Sequence, residues 1–189
     1  MPCRLLEEGG RAHFMTKRFD RIPQGKLHMQ SFCALGHHDF NTAGASSYEQ
    51  VFQLCDQLKL NMADKEQLFL RMSFNVFAYN RDDHTKQIAF LMDKKGHWSL
   101  SPAYDITYAY NPDGQWTSRH QMQINRKTED ITNADLLAVG ERQGLNKTRC
   151  EQAIERVRHA VADWTRYAHE AGVDGLFLDQ IQRQLRTSR

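Results

Sequence analysis

The chain has 189 residues, of which 40% are hydrophobic and 25% are charged, and its formal net charge is +2. These proportions are typical of a folded globular domain, and so balanced a charge gives no sign of direct nucleic-acid binding. Three features predict a cytoplasmic protein with no membrane contact. The four cysteines are widely spaced, the apolar runs are far shorter than the roughly 20 residues that span a bilayer, and the N-terminus has no apolar signal core.

The first predicted element is a β-strand over residues 12–20, which follows a glycine-containing turn. No other strong strand is predicted before residue 88, so we expect this strand to be the edge of a sheet whose partners are absent. Residues 22–27 are predicted to form a loop, and residues 28–35 a short helix. The chain is therefore expected to begin partway through a domain.

Two helices are predicted in the next part of the chain. Ser47 and Gln50 have the spacing of a capping box, and a one-sided apolar stripe follows them. Asp64 is predicted to cap the second helix, with Gln67 three residues later. Apolar side chains surround most of this second helix, so we expect it to be the central helix of the core. These side chains are Leu68, Phe69, Leu70, Met72, Phe74, Val76, Phe77 and Tyr79.

A polar loop over residues 80–87 separates that helix from a predicted hairpin, whose strands lie within residues 88–100 on either side of a turn at Gly96. A long irregular region then extends to about residue 131. Loops of this length are usually functional or mobile. Ser118, Arg119 and His120 lie in this region, where they either position a substrate or are simply solvated.

The last third of the chain is predicted to be helical. A short helix is expected over residues 133–142, and a longer one from Thr148, with Glu151 completing a capping box and Gly172 as its stop. A final helix is expected over residues 175–185.

Two carboxylates, Asp82 and Asp105, flank the predicted hairpin. Because a hairpin folds its two ends back together, we expect both to face one pocket. Carboxylate and amide oxygens suit Mg²⁺, and phosphoryl transfer needs a base, metal ligands and nearby cations. In kinase-type sites an Asp and an amide five positions later supply the base and a metal ligand. Asp82 and Gln87 have that spacing, and Lys86 lies between them.

Three segments carry a resemblance to a known family. Two of them resemble the catalytic and metal-binding segments of the HipA family of toxin serine/threonine kinases. They are Asn80-Arg81-Asp82-Asp83-His84-Thr85-Lys86-Gln87 and Ser101-Pro102-Ala103-Tyr104-Asp105. Upstream, Lys17-Arg18-Phe19-Asp20-Arg21 is similar to that family's hinge strand, whose backbone meets the adenine. The similarity extends from about residue 12 to the C-terminus.

The resemblance implies a fold, a reaction and a set of site residues. The fold would be α+β and mostly helical: a protein-kinase-like C-terminal lobe with a short hinge strand and a small β-hairpin. Asp82 would be the catalytic base, and Lys86 would meet the transferring phosphate. Gln87 and Asp105 would hold Mg²⁺. Residues that would bind the ATP cofactor are Lys17, Phe19 and His84.

The resemblance also implies partners. They would be a small DNA-binding antitoxin and a protein substrate with a serine or threonine hydroxyl, such as a translation factor or an aminoacyl-tRNA synthetase. Residues 1–24 would be the hinge strand and a remnant of an N-terminal lobe, and residues 25–189 the C-terminal kinase lobe.

The chain departs from the family pattern in two respects. The family usually has Asn where this chain has Gln87, and one extra methylene displaces a ligand for a metal that needs near-ideal octahedral geometry. The family's phosphate-covering loop and ATP-binding lysine should precede the hinge strand, yet only 11 residues precede Ala12. We therefore expect a fragment of a longer kinase or a naturally shortened one.

Other readings of the same residues stay open. A catalytically inactive kinase lobe that only binds a partner is the main alternative, and a metal-dependent phosphohydrolase that uses Asp82 and Asp105 is the second. Lys17 could equally be a charged guard on an edge strand. His84 could orient its loop through a hydrogen bond instead of touching a ligand.

Overall fold

A computed structural model describes residues 2–187, which form an α+β fold with more helix than strand. The strands are β1 (Cys3–Glu8), β2 (Arg11–Thr16), β3 (Arg21–Ile22), β4 (Gly25–Lys26), β5 (His28–Ser31), β6 (Ser46–Ser47), β7 (Ala89–Met92), β8 (Trp98–Leu100) and β9 (Met122–Gln123). The helices are α1 (Phe32–Leu35), α2 (Tyr48–Gln57), α3 (Met62–Phe77), α4 (Asn133–Arg142), α5 (Lys147–Ala162), α6 (Trp164–Glu170) and α7 (Gly175–Thr187). The predicted fold class is confirmed.

The N-terminal strand has a partner within the chain. Strand β2 pairs antiparallel with β1, from Cys3 opposite Thr16 to Glu8 opposite Arg11. The expectation that its partners are absent is therefore wrong. Charged residues interrupt β1, so its sequence carries little strand signal, but Gly9 and Gly10 both adopt positive φ and close a two-residue hairpin. Almost every residue of this ribbon is exposed.

The next segment is also more extended than predicted. Strands β3 and β4 pair with each other in the predicted loop, and the predicted helix over residues 28–35 begins as strand β5 before it turns into α1. Strand β5 pairs with β7, which in turn pairs with β8, in a three-stranded antiparallel sheet. Pairing with a distant strand outweighs the local helical preference of residues 28–31. The predicted hairpin is confirmed as β7 and β8, with Phe90 opposite Leu100.

The helices begin where polar side chains cap them. The predicted capping box at Ser47 and Gln50 is confirmed at the start of α2. Helix α3 begins earlier than predicted, because the Asn61 side chain caps it and accepts a hydrogen bond from the backbone N–H of Asp64. In the same way Asn146, rather than Thr148, caps α5.

The predicted long C-terminal helix is divided. It ends at Ala162, and the separate helix α6 follows it before Gly172, whose φ of 67° suits a helix stop. The short helix predicted over residues 133–142 is α4, and the final helix, α7, begins at the predicted residue. No helix in residues 2–187 combines the length and the apolar character that crossing a membrane requires.

Helix α3 lies at the centre of the core, as predicted. Its side chains Leu68, Phe69 and Met72 are at most 1% exposed, and it packs against α5. Helix α4 approaches closely through Gly140, where an added Cβ would lie 2.7 Å from Cys150 Sγ. Helix α3 ends at Phe77, and the polar loop over residues 80–87 follows it.

Candidate functional site

The polar loop is anchored by one buried carboxylate, Asp83. Its oxygens accept hydrogen bonds from the Tyr48 hydroxyl at 3.1 Å, from His120 Nδ1 at 3.0 Å and from the backbone N–H of Gln121 at 2.8 Å. These donors come from the start of α2 and from the long irregular region. Asp83 therefore ties three separate parts of the chain together directly behind Asp82.

A row of buried amides extends this anchor. The Asn75 side chain donates to the Tyr48 hydroxyl at 2.8 Å, and the Asn80 side chain donates to Asn75 Oδ1 at 2.9 Å. Burial and the nearby charge of Asp83 raise the pKa of Tyr48 well above its usual range, so its hydroxyl stays protonated and can donate. The network holds the end of α3 and the start of the polar loop in one arrangement.

Arg81 fastens the long irregular region to the same loop. Its backbone N–H donates to the carbonyl of Ala109, and its guanidinium donates to the carbonyl of Ser118. The guanidinium also lies 4.5 Å from the ring centroid of Tyr110 and 5.0 Å from that of Tyr79. The segment from Ala109 to Ser118 is therefore held beside Asp82.

Asp82 itself faces solvent. Its side chain is 41% exposed, and Oδ1 lies 4.0 Å from Nε2 of His84. The other ring nitrogen of His84 accepts a hydrogen bond from the backbone N–H of Lys86 at 3.3 Å. His84 thus orients its own loop, while the Asp82 carboxylate is accessible to solvent.

Gln87 and Asp105 are brought into direct contact. The Gln87 amide nitrogen donates to Asp105 Oδ2 at 2.8 Å, across the two ends of the hairpin. Asp105 is exposed and has a φ of 53°, in the left-handed region that Asp and Asn tolerate better than most residues. The amide oxygen of Gln87 is buried and has no hydrogen-bond partner among the described residues.

Carboxylate and amide oxygens are the ligands that Mg²⁺ prefers. The Gln87 atom that faces Asp105 is the amide nitrogen, a donor that cannot bind a metal, so the 2.8 Å between them is a hydrogen-bond distance. A 180° rotation of the Gln87 amide would turn its unpartnered oxygen toward Asp105, and a metal between them would then have one oxygen ligand from each residue. The ligand set depends on this amide, because residues 2–187 contain no group of three His, Cys, Asp or Glu side chains that could hold a metal.

Lys86 and Phe19 also lie at this end of the hairpin. The carbonyl of Lys86 accepts a hydrogen bond from the Tyr104 hydroxyl at 2.5 Å. Burial, and then the charge of Asp105, raise the pKa of Tyr104 to about 12. The Phe19 ring packs against Tyr104 with 5.8 Å between centroids. Lys17 is exposed beside the β1–β2 ribbon, where its backbone N–H donates to Pro2.

The sequence pattern does not predict the groups that hold the site together. These groups, whose polar side chains are buried at its base, are Tyr48, Asn75, Asn80 and Asp83. The only available signal was the pair of adjacent acids, since neighbouring residues on a loop often face opposite sides. His120 is a buried partner of Asp83 rather than a solvated residue.

The chain is similar to known proteins in sequence and in fold. The HipA-like C-terminal domain family matches residues 1–165. A curated relative, the protein Y4dM of Sinorhizobium fredii, is named only as a candidate kinase; it is 25% identical over 152 residues, which cover 78% of this chain and 37% of the relative.

A solved structure matches nearly the whole fold. In the complex of HipA, HipB and operator DNA from the toxin–antitoxin system of Shewanella oneidensis MR-1, one chain superposes with a TM-score of 0.77 at 20% identity. The match covers 99% of this chain and 50% of that chain. The chain thus spans half of the solved relative and about a third of the curated one. Because the family match extends over most of its length, the chain belongs to the HipA-like C-terminal domain family.

Proposed function

We propose that the chain carries the metal and acceptor side of a HipA-like serine/threonine kinase, which transfers a phosphoryl group from ATP to a protein hydroxyl with Mg²⁺. The observation that supports this most is the contact between Gln87 and Asp105, in which the amide nitrogen donates to the carboxylate and the buried amide oxygen has no hydrogen-bond partner among the described residues. When bound, Mg²⁺ would neutralise charge on the phosphate oxygens. Gln87 and Asp105 would be the protein residues that hold it.

Asp82 is the base in this proposal. Its exposed carboxylate accepts the proton of the acceptor hydroxyl, while the hydroxyl oxygen bonds to the γ-phosphorus and the bond from that phosphorus to the leaving ADP oxygen breaks. Asp83 keeps the loop rigid beneath it through three hydrogen bonds. Rigid placement of this kind supplies much of the rate in reactions that need little covalent work from the protein.

Lys86 and Phe19 complete the proposed site. The Lys86 ammonium would meet the transferring phosphate, with its backbone fixed by Tyr104. Phe19, packed on Tyr104, would lie at the nucleotide. In this proposal His84 and Lys17 also contribute to cofactor binding, although His84 is held within its own loop and Lys17 lies on the ribbon.

The experiment is transfer of labelled γ-phosphate from ATP with Mg²⁺ to casein as a generic acceptor. Because the chain spans half of the solved relative, we expect little transfer by the chain alone, and the variants are compared in the chain fused to the N-terminal half of that relative. We expect Asp82→Asn to lower transfer by roughly 10²- to 10⁴-fold, the usual contribution of a positioned base. Asp179→Asn, on the exposed surface of α7, is the matched control and should transfer normally. Equal transfer by wild type and Asp82→Asn would overturn the role of Asp82.

The second candidate is a kinase lobe that binds a partner and transfers nothing. The hydrogen bond that already satisfies Asp105 favours it, because a metal must compete with the Gln87 amide for that carboxylate. The phosphate-transfer assay distinguishes this binding module from the kinase. A rise in melting temperature with Mg²⁺ and ATP, without any transfer of label, supports the binding module.

A small DNA-binding antitoxin is the proposed partner. The support is the solved relative, which was crystallised with HipB and operator DNA. A protein of translation, such as an aminoacyl-tRNA synthetase, is the proposed substrate class on the strength of the family resemblance. Both are tested by isolating the chain from its own cells under native conditions and identifying proteins that remain bound or become phosphorylated.

A further inference from the structure

Within residues 2–187, a single contact orients the Lys86 side chain. Its backbone is fixed at both ends, since its N–H donates to His84 Nδ1 at 3.3 Å and its carbonyl accepts from the Tyr104 hydroxyl at 2.5 Å. The ammonium, by contrast, lies 3.7 Å from the ring centroid of Phe40, which is a cation–π distance. A long flexible side chain is thus directed by a single aromatic face.

Phe40 lies on a loop that the side chain of the adjacent residue, Asp39, makes rigid through hydrogen bonds. The Asp39 carboxylate accepts hydrogen bonds from the backbone N–H of Asn41 at 2.9 Å, from the Asn41 amide at 2.9 Å and from the Thr42 hydroxyl at 3.2 Å. Farther along, the backbone N–H of Gly44 donates to the carbonyl of Gln121 at 2.8 Å. The Phe40 ring is nevertheless 45% exposed, so burial does not explain its position.

We propose that Phe40 is a positioning residue that holds the Lys86 ammonium ready for the transferring phosphate. This inference depends on the proposed kinase function. A lysine side chain loses rotamer freedom when it binds a ligand, and an aromatic face that already restricts it removes part of that cost. Because a cation–π contact at an exposed site is worth about 0.5–1 kcal/mol, loss of the ring should lower kcat about 2- to 5-fold.

The contact itself can be observed without any activity. In protein labelled with ¹³C-lysine, the ring current of Phe40 should move the Hε signals of Lys86 upfield, and Lys86→Arg identifies those signals. Phe40→Leu keeps apolar bulk but removes the aromatic face, so the signals should return to the position of an ordinary exposed lysine. Phe40→Tyr keeps the face and should keep the shift. Addition of Mg²⁺ and ATP should move the signals again, because the ammonium then meets the phosphate, while the upfield shift from the ring persists.

The role is tested by kinetics on the same variants. We expect Phe40→Leu to lower kcat with little change in KM for ATP, and Phe40→Tyr to restore kcat. Phe177→Leu, which alters a still more exposed phenylalanine on α7, is the control and should match wild type. Unshifted Lys86 signals in wild type overturn the inference, and so does an unchanged kcat in Phe40→Leu. If neither the chain nor its fusion transfers phosphate, the proposed function fails and the role of Phe40 fails with it, whereas an unchanged kcat in Phe40→Leu of an active enzyme overturns the inference alone.

Discussion

The Gln87 amide donates to the Asp105 carboxylate at 2.8 Å and joins the polar loop to the far end of the hairpin. Gln87→Glu should replace this bond with two facing carboxylates. We expect the variant to lose about 1–3 kcal/mol of stability without metal, because a hydrogen bond to a charged group is replaced by repulsion. Added Mg²⁺ should recover most of the loss.

Thermal melts with and without Mg²⁺ measure this effect. Gln115→Glu, in an exposed part of the long region, is the matched control and should respond little to Mg²⁺. If Gln87→Glu melts at the wild-type temperature and gains nothing from Mg²⁺, the two side chains are not in contact in solution.

Asp83→Asn should be among the most damaging polar substitutions in the chain. The Tyr48 hydroxyl and His120 Nδ1 both donate to Asp83 Oδ2, and an amide nitrogen at that position could accept from neither. An orphaned buried donor costs about 1–3 kcal/mol, so we expect a loss of roughly 2–5 kcal/mol. Chemical denaturation measures it, with the exposed Asp179→Asn for comparison. A loss below about 1 kcal/mol would contradict the network.

Gly140→Ala should destabilise the core although alanine is the better helix former. The new Cβ would lie 2.7 Å from Cys150 Sγ and 2.9 Å from the Phe69 ring, and overpacking of this kind costs about 1–3 kcal/mol. Gly175→Ala is the control, since a Cβ there meets nothing within 4 Å. Equilibrium unfolding should show opposite signs for the two variants, and a stabilised Gly140→Ala would contradict the close approach of α4.

Alkaline pH should lower the free energy of unfolding, because Tyr48 and Tyr104 ionise less readily in the folded chain than in the unfolded one. The folded pKa of Tyr104 is raised to about 12, and that of Tyr48 is raised as well, chiefly because burial disfavours the phenolate. Their contribution is therefore complete below the ordinary tyrosine pKa of about 10 and is lost as the pH rises toward 12. Free energies of unfolding between pH 8 and 12 should fall along this course. Tyr104→Phe should flatten the fall, and a curve unchanged by that variant would contradict the assignment.

Local signals predicted much of the framework. The capping box at Ser47, the apolar surround of α3 and the turn between β7 and β8 are each specified by neighbouring residues, and each is confirmed. The errors involve pairing at a distance. Residues 28–31 form a strand only because β7 lies beside them, and the charged β1 is a strand only because β2 folds back on it.

The contacts of the candidate site likewise divide into those that local sequence predicts and those that join distant residues. The contact between Gln87 and Asp105 follows from the hairpin that joins them, so the sequence could predict that they meet. The ring of Phe40 beside Lys86 and the bond from His120 to Asp83 join residues tens of positions apart, and no local pattern indicates either. Roles that depend on such contacts could be recognised only from the fold.

Paramagnetic broadening by Mn²⁺ tests the shared cation site most directly. In ¹⁵N-labelled chain with ATP present, substoichiometric Mn²⁺ should selectively broaden the side-chain amide signal of Gln87 and leave that of Gln115 sharp. Asp105→Asn keeps a residue that tolerates the left-handed backbone and should abolish the effect. A Gln87 signal that stays sharp in wild type, or one that broadens equally in Asp105→Asn, would show that these side chains do not hold the metal.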